Sequence, residues 1–145
     1  MASLSRSALL PFAPEAVYQI VADIERYPEF LPWCTTARVV TRSEAKVTAA
    51  LEFAVRGLRD TLVTENSLQP GQRMTLELVS GPFSQFRGVW SFQELGAHGE
   101  ACKAEFYVDY ELGGGFALFA GPLVNHGADL LVDAFADRCS ALLEA

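Results

Sequence analysis

Four stretches in the middle of this chain alternate apolar and polar residues with a period of two. They cover residues 46–55, 73–78, 85–93 and 102–111. Successive side chains of a β-strand point to opposite faces, so each stretch predicts a strand with one buried and one solvated face. A sheet with one solvated face is typical of antiparallel pairing. The alternation therefore predicts an antiparallel β-sheet as the main element of the fold.

Weaker alternation over residues 3–10, 36–42 and 58–68 adds further strands, for a total of about seven. The segments between the predicted strands are rich in glycine, proline and polar residues, as in 69–72 and 96–99. Such residues are typical of tight chain reversals. Most consecutive strands are therefore predicted to pair as a meander.

Helical patterns occupy the two ends of the chain. Pro14 opens a short helix, since proline in the first turn lacks only an N–H that would be unpaired there. The stretch 122–143 predicts one long helix with Leu123, Leu130 and Ala134 on its buried side. Its apolar arc is wider than a usual stripe, which indicates a helix enclosed by a curved sheet. The predicted fold class is α+β: one strand, two short helices, six strands and a long helix in the cradle of the sheet.

Composition favours a single globular domain over residues 1–145. Half of the residues are hydrophobic, which is too apolar for a disordered chain, and the formal net charge of −7 disfavours DNA binding. Cys34, Cys102 and Cys139 are odd in number and widely spaced, so a reducing cytoplasm is the expected location. Glycines and a proline interrupt the longest uncharged stretch, 112–128, so we expect no transmembrane helix. A peripheral contact with the inner membrane remains open.

Residues that commonly carry catalysis are scarce. The two histidines, His98 and His126, lie outside any nucleophile or metal-binding motif. Asp129, Asp133 and Asp137 recur every four residues on the predicted helix, and we interpret them as a solvated acidic face rather than a metal site. The sequence therefore predicts a protein that is not an enzyme and holds no metal.

Charge is unevenly distributed along the chain. Acidic residues predominate from Glu100 onward, whereas cations outnumber acids between residues 38 and 59. The cations are either ordinary solvated residues of strand faces or a surface for an anionic partner such as RNA or lipid headgroups. They are Arg38, Arg42, Lys46, Arg56 and Arg59.

The most distinctive segment is 27–34, in which two prolines frame large apolar side chains. Proline fixes its own backbone and restricts the residue before it, so the segment is predicted to be an irregular loop. Two interpretations fit its apolar side chains: a hydrophobic plug under the sheet, or the rim of a pocket.

Four motifs in this chain together resemble the coenzyme Q-binding START-domain family, within the polyketide cyclase/dehydrase and lipid-transport superfamily. They are Tyr27-Pro-Glu-Phe-Leu-Pro-Trp-Cys34, Leu78-Val-Ser-Gly-Pro-Phe83, Gly88-x-Trp90-x-Phe92 and Ala104-Glu-Phe-x-x-Asp-Tyr-Glu111. The resemblance implies a helix-grip fold, in which an antiparallel sheet wraps around a long C-terminal helix and encloses an apolar cavity.

The resemblance also implies the function. The leading hypothesis is binding of ubiquinone, or of a related polyprenyl quinone or lipid, as a chaperone or carrier that supports respiration. The alternative comes from bacterial members of the family, which are toxins that block the association of ribosomal subunits. A third hypothesis, a cyclase or aromatase, follows from other members of the superfamily, but the sequence offers no convincing acid–base pair for it.

The resemblance and the strand pattern together define a set of candidate ligand-binding residues. They comprise aromatic residues of the loop motif, apolar residues of the strands and two leucines of the long helix: Tyr27, Phe30, Trp33, Phe53, Met74, Leu76, Phe83, Phe86, Trp90, Phe106, Tyr110, Leu123 and Leu130. Relatives have helix-forming residues where this chain has the glycines of 113–115 and the Gly-Pro pair at 121–122. The start of the long helix is therefore expected to be displaced or kinked.

The expected partner is a hydrophobic small molecule, and no cofactor is required. Burial of each methylene contributes about 0.8 kcal/mol but little specificity. A few polar groups near the rim should therefore orient a headgroup, and the candidates are Tyr18, Arg38 and Tyr110.

Overall fold

The computed structural model of this chain describes residues 2–55, 57–113 and 121–144. Its strands are β1 (Ala2–Leu10), β2 (Cys34–Arg42), β3 (Lys46–Val55), β4 (Leu58–Gln69), β5 (Arg73–Ser80), β6 (Phe83–Leu95) and β7 (Ala101–Leu112). These strands form an antiparallel sheet in the order β1-β7-β6-β5-β4-β3-β2. The predicted sheet and meander are confirmed, and β1 completes the sheet by pairing with β7.

The reversal between β4 and β5 illustrates how the turn residues set the strand pairing. The backbone N–H of Gln72 donates to the carbonyl of Gln69 at 2.9 Å. Gly71 has a φ of 75°, a left-handed conformation that costs glycine little because it lacks a Cβ. The predicted turn at 69–72 is therefore confirmed.

Two short helices lie between β1 and β2, as the sequence predicts. Helix α1 (Pro14–Ala22) begins at its proline, and a 3₁₀ helix (Ile24–Glu29) follows. The expectation of a wholly irregular loop over residues 27–34 is therefore wrong for its first three residues and for Cys34, which begins β2. The fixed φ of Pro28 fits a 3₁₀ turn. After the 3₁₀ helix, the N–H of Leu31 donates a hydrogen bond of 2.9 Å to the carbonyl of Tyr27.

One face of the sheet packs against the long helix, α2 (Gly121–Leu143). Trp90 on β6 lies opposite Met74 on β5 and opposite Phe106 on β7. Directly opposed residues of antiparallel strands share a face. The ring of Trp90 lies 5.1 Å from the ring of Phe135 on α2, so this row of residues defines the face toward the helix. We refer to it as the inner face and to the opposite side as the outer face.

The buried stripe of α2 differs from the predicted one. Val132, Phe135 and Cys139 are 6%, 4% and 0% exposed, whereas Leu130, which the sequence pattern places on the buried side, is 42% exposed. The neighbouring Asp129 forms an ion pair with Arg6 on the edge strand β1. This pair links that turn of the helix to β1, and the adjacent Leu130 faces solvent.

Two expectations about the chain between β7 and α2 have different outcomes. The expected displacement or kink concerns mainly residues 114–120, which lie outside the described residues. In the described part of the chain, no helix is both long enough and apolar enough to cross a bilayer.

Candidate functional site

An aromatic cluster joins the loop motif, the sheet and α2. Phe135 lies at its centre, with ring centroids 5.3 Å from Tyr27, 5.0 Å from Phe30 and 5.1 Å from Trp90. Phe106 extends the cluster across the sheet, 5.0 Å from Trp90. The three contacts of Phe135 have interplanar angles of 69–86°, the edge-to-face geometry that aromatic pairs prefer. Four of the predicted ligand-binding residues are thus brought together around a helical residue that the prediction omitted.

Tyr27 is held in place by burial and by one polar contact. It is 6% exposed, and its hydroxyl donates a hydrogen bond to the carbonyl of Val21 in α1. Burial raises the pKa of this phenol, with a smaller contribution from the Cys34 thiol. Tyr27 therefore remains neutral and anchors the 3₁₀ helix to α1.

A charged network fastens the same loop motif to α2. Arg138 Nη2 lies 2.9 Å from Glu29 Oε1, and Arg26 Nη1 lies 3.0 Å from the other carboxylate oxygen. The guanidinium of Arg138 also lies over the ring of Phe30, 5.0 Å from its centroid. The hydrogen bond from Arg138, together with the contacts from Arg26, holds the pKa of Glu29 below its usual range. Glu29 therefore stays ionised and the loop stays attached to the helix.

A second aromatic group lies further along β6. Phe83 lies 5.1 Å from Phe86 and 6.1 Å from Tyr110, measured between ring centroids. Phe86 is four residues from Trp90, so these rings lie about 13 Å further along the strand. The predicted site residues of β6 and β7 therefore extend along one continuous hydrophobic core.

The remaining predicted ligand residues have several locations. Met74 is 1% exposed, Leu76 is partly buried against the core, and Phe53 is partly buried. Leu130 lies at the exposed rim, and the side chain of Leu123 is outside the described residues. The sequence predicts an inner-face site for all of them, and Leu130 is the one that the structure places away from the buried face.

Trp33 carries an unusual polar group. Its indole nitrogen, Nε1, is buried and has no hydrogen-bond partner among the described residues. The backbone carbonyl of the same residue accepts a hydrogen bond from the N–H of Ala54 at 2.9 Å, which ties the loop motif to β3. Most buried donors in native proteins are paired, so an unpaired indole N–H requires an explanation.

Two buried polar residues of the inner face were missed by the sequence analysis. Thr64 and Asn66 on β4 are 5% and 2% exposed. The hydroxyl of Thr64 donates to Oδ1 of Asn66 at 2.7 Å. The signal was present in the alternation of β4, because Leu62, Thr64, Asn66 and Leu68 share one face of that strand.

The predicted basic surface is a line rather than a patch. On the outer face, Arg38 lies opposite Ala50 and Arg59 lies opposite Ala54, while Lys46 begins β3. Eight residues of β3 separate the ends of this line, about 26 Å at 3.3 Å per residue. Arg42 is exposed at the end of β2, and Arg56 lies outside the described residues. Strand geometry therefore disperses cations that are close together in the sequence.

The three cysteines are buried free thiols. Burial raises the pKa of Cys34 and of Cys139 to about 11, with Cys102 adding to the effect at Cys139. A nucleophilic cysteine needs a thiolate, which these surroundings disfavour. No cluster of three or more metal-ligating side chains is found among the described residues.

Comparison of the sequence with models of known families agrees with the fold described above. The model of the polyketide cyclase/dehydrase and lipid transport family matches residues 10–136. The chain belongs to this family.

Relatives within the family carry two kinds of name. The ribosome association toxin RatA of Pseudomonas aeruginosa is 39% identical over 140 residues, which are 96% of each chain. RatA of Escherichia coli K12 is 36% identical over 146 residues, covering 100% of this chain and 91% of the relative. The mitochondrial coenzyme Q-binding protein COQ10 homolog B of Xenopus laevis is 30% identical over 131 residues, 89% of this chain and 51% of the relative.

Solved structures confirm the predicted helix-grip fold. A protein from Thermus thermophilus superposes with a TM-score of 0.85 and 21% identity, covering 99% of this chain and 100% of that one. The Zhui aromatase/cyclase of a Streptomyces species superposes with a TM-score of 0.87 at 12% identity, covering 99% of this chain and 96% of that one. Identities this low show a shared fold alone, since unrelated activities use the same fold.

Proposed function

We propose that this chain acts on ribosomes and hinders the association of their subunits. The supporting observation is its identity of 36–39%, over nearly its whole length, to proteins named ribosome association toxins. The match to the COQ10 homolog is weaker, at 30%, and covers 51% of that protein. The order of the two leading hypotheses from the sequence is therefore reversed, and the ribosome becomes the first expected partner.

Arg38, Arg42 and Arg59 are the cations best suited to contact ribosomal RNA. All three are exposed, and in the part of the chain that the structure describes none of them forms an ion pair with a carboxylate. Lys46, in contrast, is paired with Glu65 at 3.3 Å. A guanidinium without an intramolecular partner can bind phosphate through two hydrogen bonds without first breaking an existing pair.

Removal of two of these arginines should weaken the effect on ribosomes. Expression of the unchanged chain in bacteria is expected to shift ribosomes toward free subunits in sucrose gradients. The double variant Arg38→Gln/Arg59→Gln should restore most intact ribosomes, because each lost phosphate contact weakens binding and reduces its salt dependence. Filter binding of purified subunits at several salt concentrations measures that dependence directly.

The matched control is Arg73→Gln/Arg87→Gln, which changes the net charge equally but removes exposed arginines of β5 and β6. Arg73 lies opposite Ser91, and Arg87 lies opposite Asp109. If both double variants lose the effect equally, overall charge rather than this surface is responsible. An unchanged subunit profile on expression of the natural chain argues against the ribosomal function itself.

We also propose that the inner face binds a hydrophobic small molecule. The observation that favours this second function is the buried indole N–H of Trp33, which has no acceptor among the described residues. An oxygen atom of a ligand would satisfy it. More specifically, we propose that this ligand is ubiquinone, or another polyprenyl quinone or lipid, since a relative is named a coenzyme Q-binding protein. Exchange of such a ligand would require contact with the inner membrane.

Substitution of Trp33 tests this second function. Protein purified without detergent should carry a co-purifying quinone or lipid in native mass spectrometry, or take up added ubiquinone. Trp33→Phe keeps an aromatic ring but loses the donor, so affinity should fall about 5-fold, the equivalent of one hydrogen bond. Consistently empty protein that takes up no quinone or lipid would contradict the proposal.

A further inference from the structure

The inner face of β4 carries a polar pair in apolar surroundings. Asn66 lies opposite Val47 on β3 and opposite Leu76 on β5. Thr64, two residues earlier on the same face, lies opposite Ala49. The pair is almost completely buried, at 2% exposure for Asn66 and 5% for Thr64. These are the buried polar side chains of the described residues, and both face the side of the sheet on which α2 packs.

Most of the hydrogen-bonding capacity of Asn66 is unused. An asparagine side chain offers two N–H donors and two acceptor positions on its carbonyl oxygen. Among the described residues, one of these four positions is filled, by the bond of 2.7 Å to the Thr64 hydroxyl. The amide nitrogen makes no hydrogen bond there but is not fully enclosed, unlike Nε1 of Trp33. An amide in an aliphatic row is unfavourable unless it is hydrogen-bonded, and packing alone would be better served by leucine at this position. A ligand group that completes the set would explain why a polar pair is kept here.

The surroundings of Asn66 define which ligand group it would take. The opposing residues on the neighbouring strands are aliphatic: Val47, Ala49, Leu76 and Leu78. A buried phosphate or carboxylate would need a cation beside it. Arg38, a candidate for orienting a headgroup, lies on the outer face opposite Ala50 and is exposed. Arg42 lies opposite Val47, in the row of Asn66, but it is exposed at the end of the edge strand β2, so neither arginine is buried beside the amide. A neutral group with acceptor oxygens fits an uncharged amide donor.

We propose that Asn66, oriented by Thr64, binds the neutral, oxygen-bearing headgroup of the hydrophobic ligand. The amide N–H groups donate to a carbonyl or ether oxygen, and the hydrogen bond from Thr64 fixes the plane of the amide. This inference rests on the proposed ligand binding by the inner face. It adds that selectivity for an oxygenated headgroup arises at β4, an interior strand of the sheet. Trp33 is tied to Ala54, seven residues along β3 from Val47, or about 23 Å, so its indole would meet a different part of a long ligand from the headgroup.

Two probes that share a tail separate headgroup recognition from apolar burial. They are decylubiquinone, which has carbonyl and methoxy oxygens, and decylbenzene, which has none. In competitive titrations read by native mass spectrometry, the unchanged protein should bind decylubiquinone at least about 10-fold more tightly than decylbenzene. Asn66→Leu should remove this preference by weakening decylubiquinone about 10-fold, while binding of decylbenzene changes less than about 2-fold.

Three further variants complete the experiment. Thr64→Val should reduce the preference partly, because the amide loses its orienting bond. Ser67→Ala, on the outer face of the same strand, should leave it unchanged. Asn66→Ala replaces the leucine variant if circular dichroism shows that the latter is unfolded.

The outcomes distinguish the two proposals. If neither probe binds the unchanged protein, ligand binding by the inner face is refuted. If both probes bind and the preference survives in the folded Asn66 variants, the headgroup assignment is overturned while ligand binding stands.

Discussion

Replacement of Trp90 by alanine is expected to lower the free energy of unfolding by about 3–5 kcal/mol. The indole is 3% exposed, and its centroid lies 5.0 Å from Phe106 and 5.1 Å from Phe135. The substitution removes one of the side chains by which the sheet contacts α2, and it leaves a cavity that neighbouring rings can fill only in part. Chemical denaturation followed by circular dichroism measures the loss.

Two control variants make this prediction specific. Trp90→Phe keeps a ring in the aromatic cluster, so it should lose less than half of the stability that Trp90→Ala loses. Ser91→Ala, on the opposite face of the same strand, should change stability by less than about 0.5 kcal/mol. A loss below about 1 kcal/mol for Trp90→Ala would mean that the sheet and the helix are held together elsewhere.

The strands of this fold could be predicted from the sequence because a period of two is a local signal. Each residue of β7, for example, is assigned to a face by its immediate neighbours, and Phe106 and Val108 are buried as the alternation requires. The weaker pattern of 58–68 also becomes a strand, β4, since its neighbours on both sides pair with it. Local alternation and pairing therefore agree over most of the sheet, except at the register shifts and at the buried polar residues Thr64 and Asn66.

The orientation of α2 could not be predicted in this way. A helix with a wide apolar arc can face a sheet at several rotations, and distant contacts select one of them. Here the pair between Arg6 and Asp129 and the packing around Phe135 make that selection. These residues are far apart in the sequence, so the hydrophobic periodicity of the helix does not predict their contact.

In the candidate sites too, features that depend on neighbouring residues could be predicted from the sequence, whereas contacts between distant residues could not. The loop motif was identified from composition, but its anchors, Phe135 and Arg138, belong to a helix more than 100 positions later. The cations of residues 38–59 are close in sequence, yet extended strands separate them in space. Thr64 and Asn66 were overlooked because polar residues in an alternating strand are assigned to the solvated face by default.

The arginines of the RNA double variant and the polar pair of the ligand proposal lie on opposite faces of one sheet. Arg38 and Arg59 lie on the outer face, whereas Asn66 and Thr64 belong to the inner face, as does Arg42, which lies opposite Val47 at the end of β2. The residues substituted on the two faces are separated by the thickness of the sheet and share no partners, so the effects of the substitutions should be independent. Ribosome profiles of the Asn66→Leu variant and ligand binding by the arginine variants therefore show whether the protein couples the two activities.

Replacement of Phe135 by alanine is the second substitution with a large expected effect, again about 3–5 kcal/mol of unfolding free energy. Phe135 is 4% exposed and contacts the rings of Tyr27, Phe30 and Trp90, which belong to two separate parts of the chain. Its loss should loosen the loop motif and the C-terminal half of α2 together. Hydrogen exchange should therefore accelerate in both segments, and Phe135→Leu should show a smaller change in the same direction.

A double-mutant cycle between Phe135→Ala and Trp90→Ala tests whether the cluster acts as a unit. Side chains in direct contact commonly show a coupling energy of about 0.5–3 kcal/mol. We expect the double variant to lose less stability than the two single variants would together, because each single change already breaks their shared contact. Strict additivity would contradict this, and it would mean that Phe135 and Trp90 stabilise the fold independently of each other.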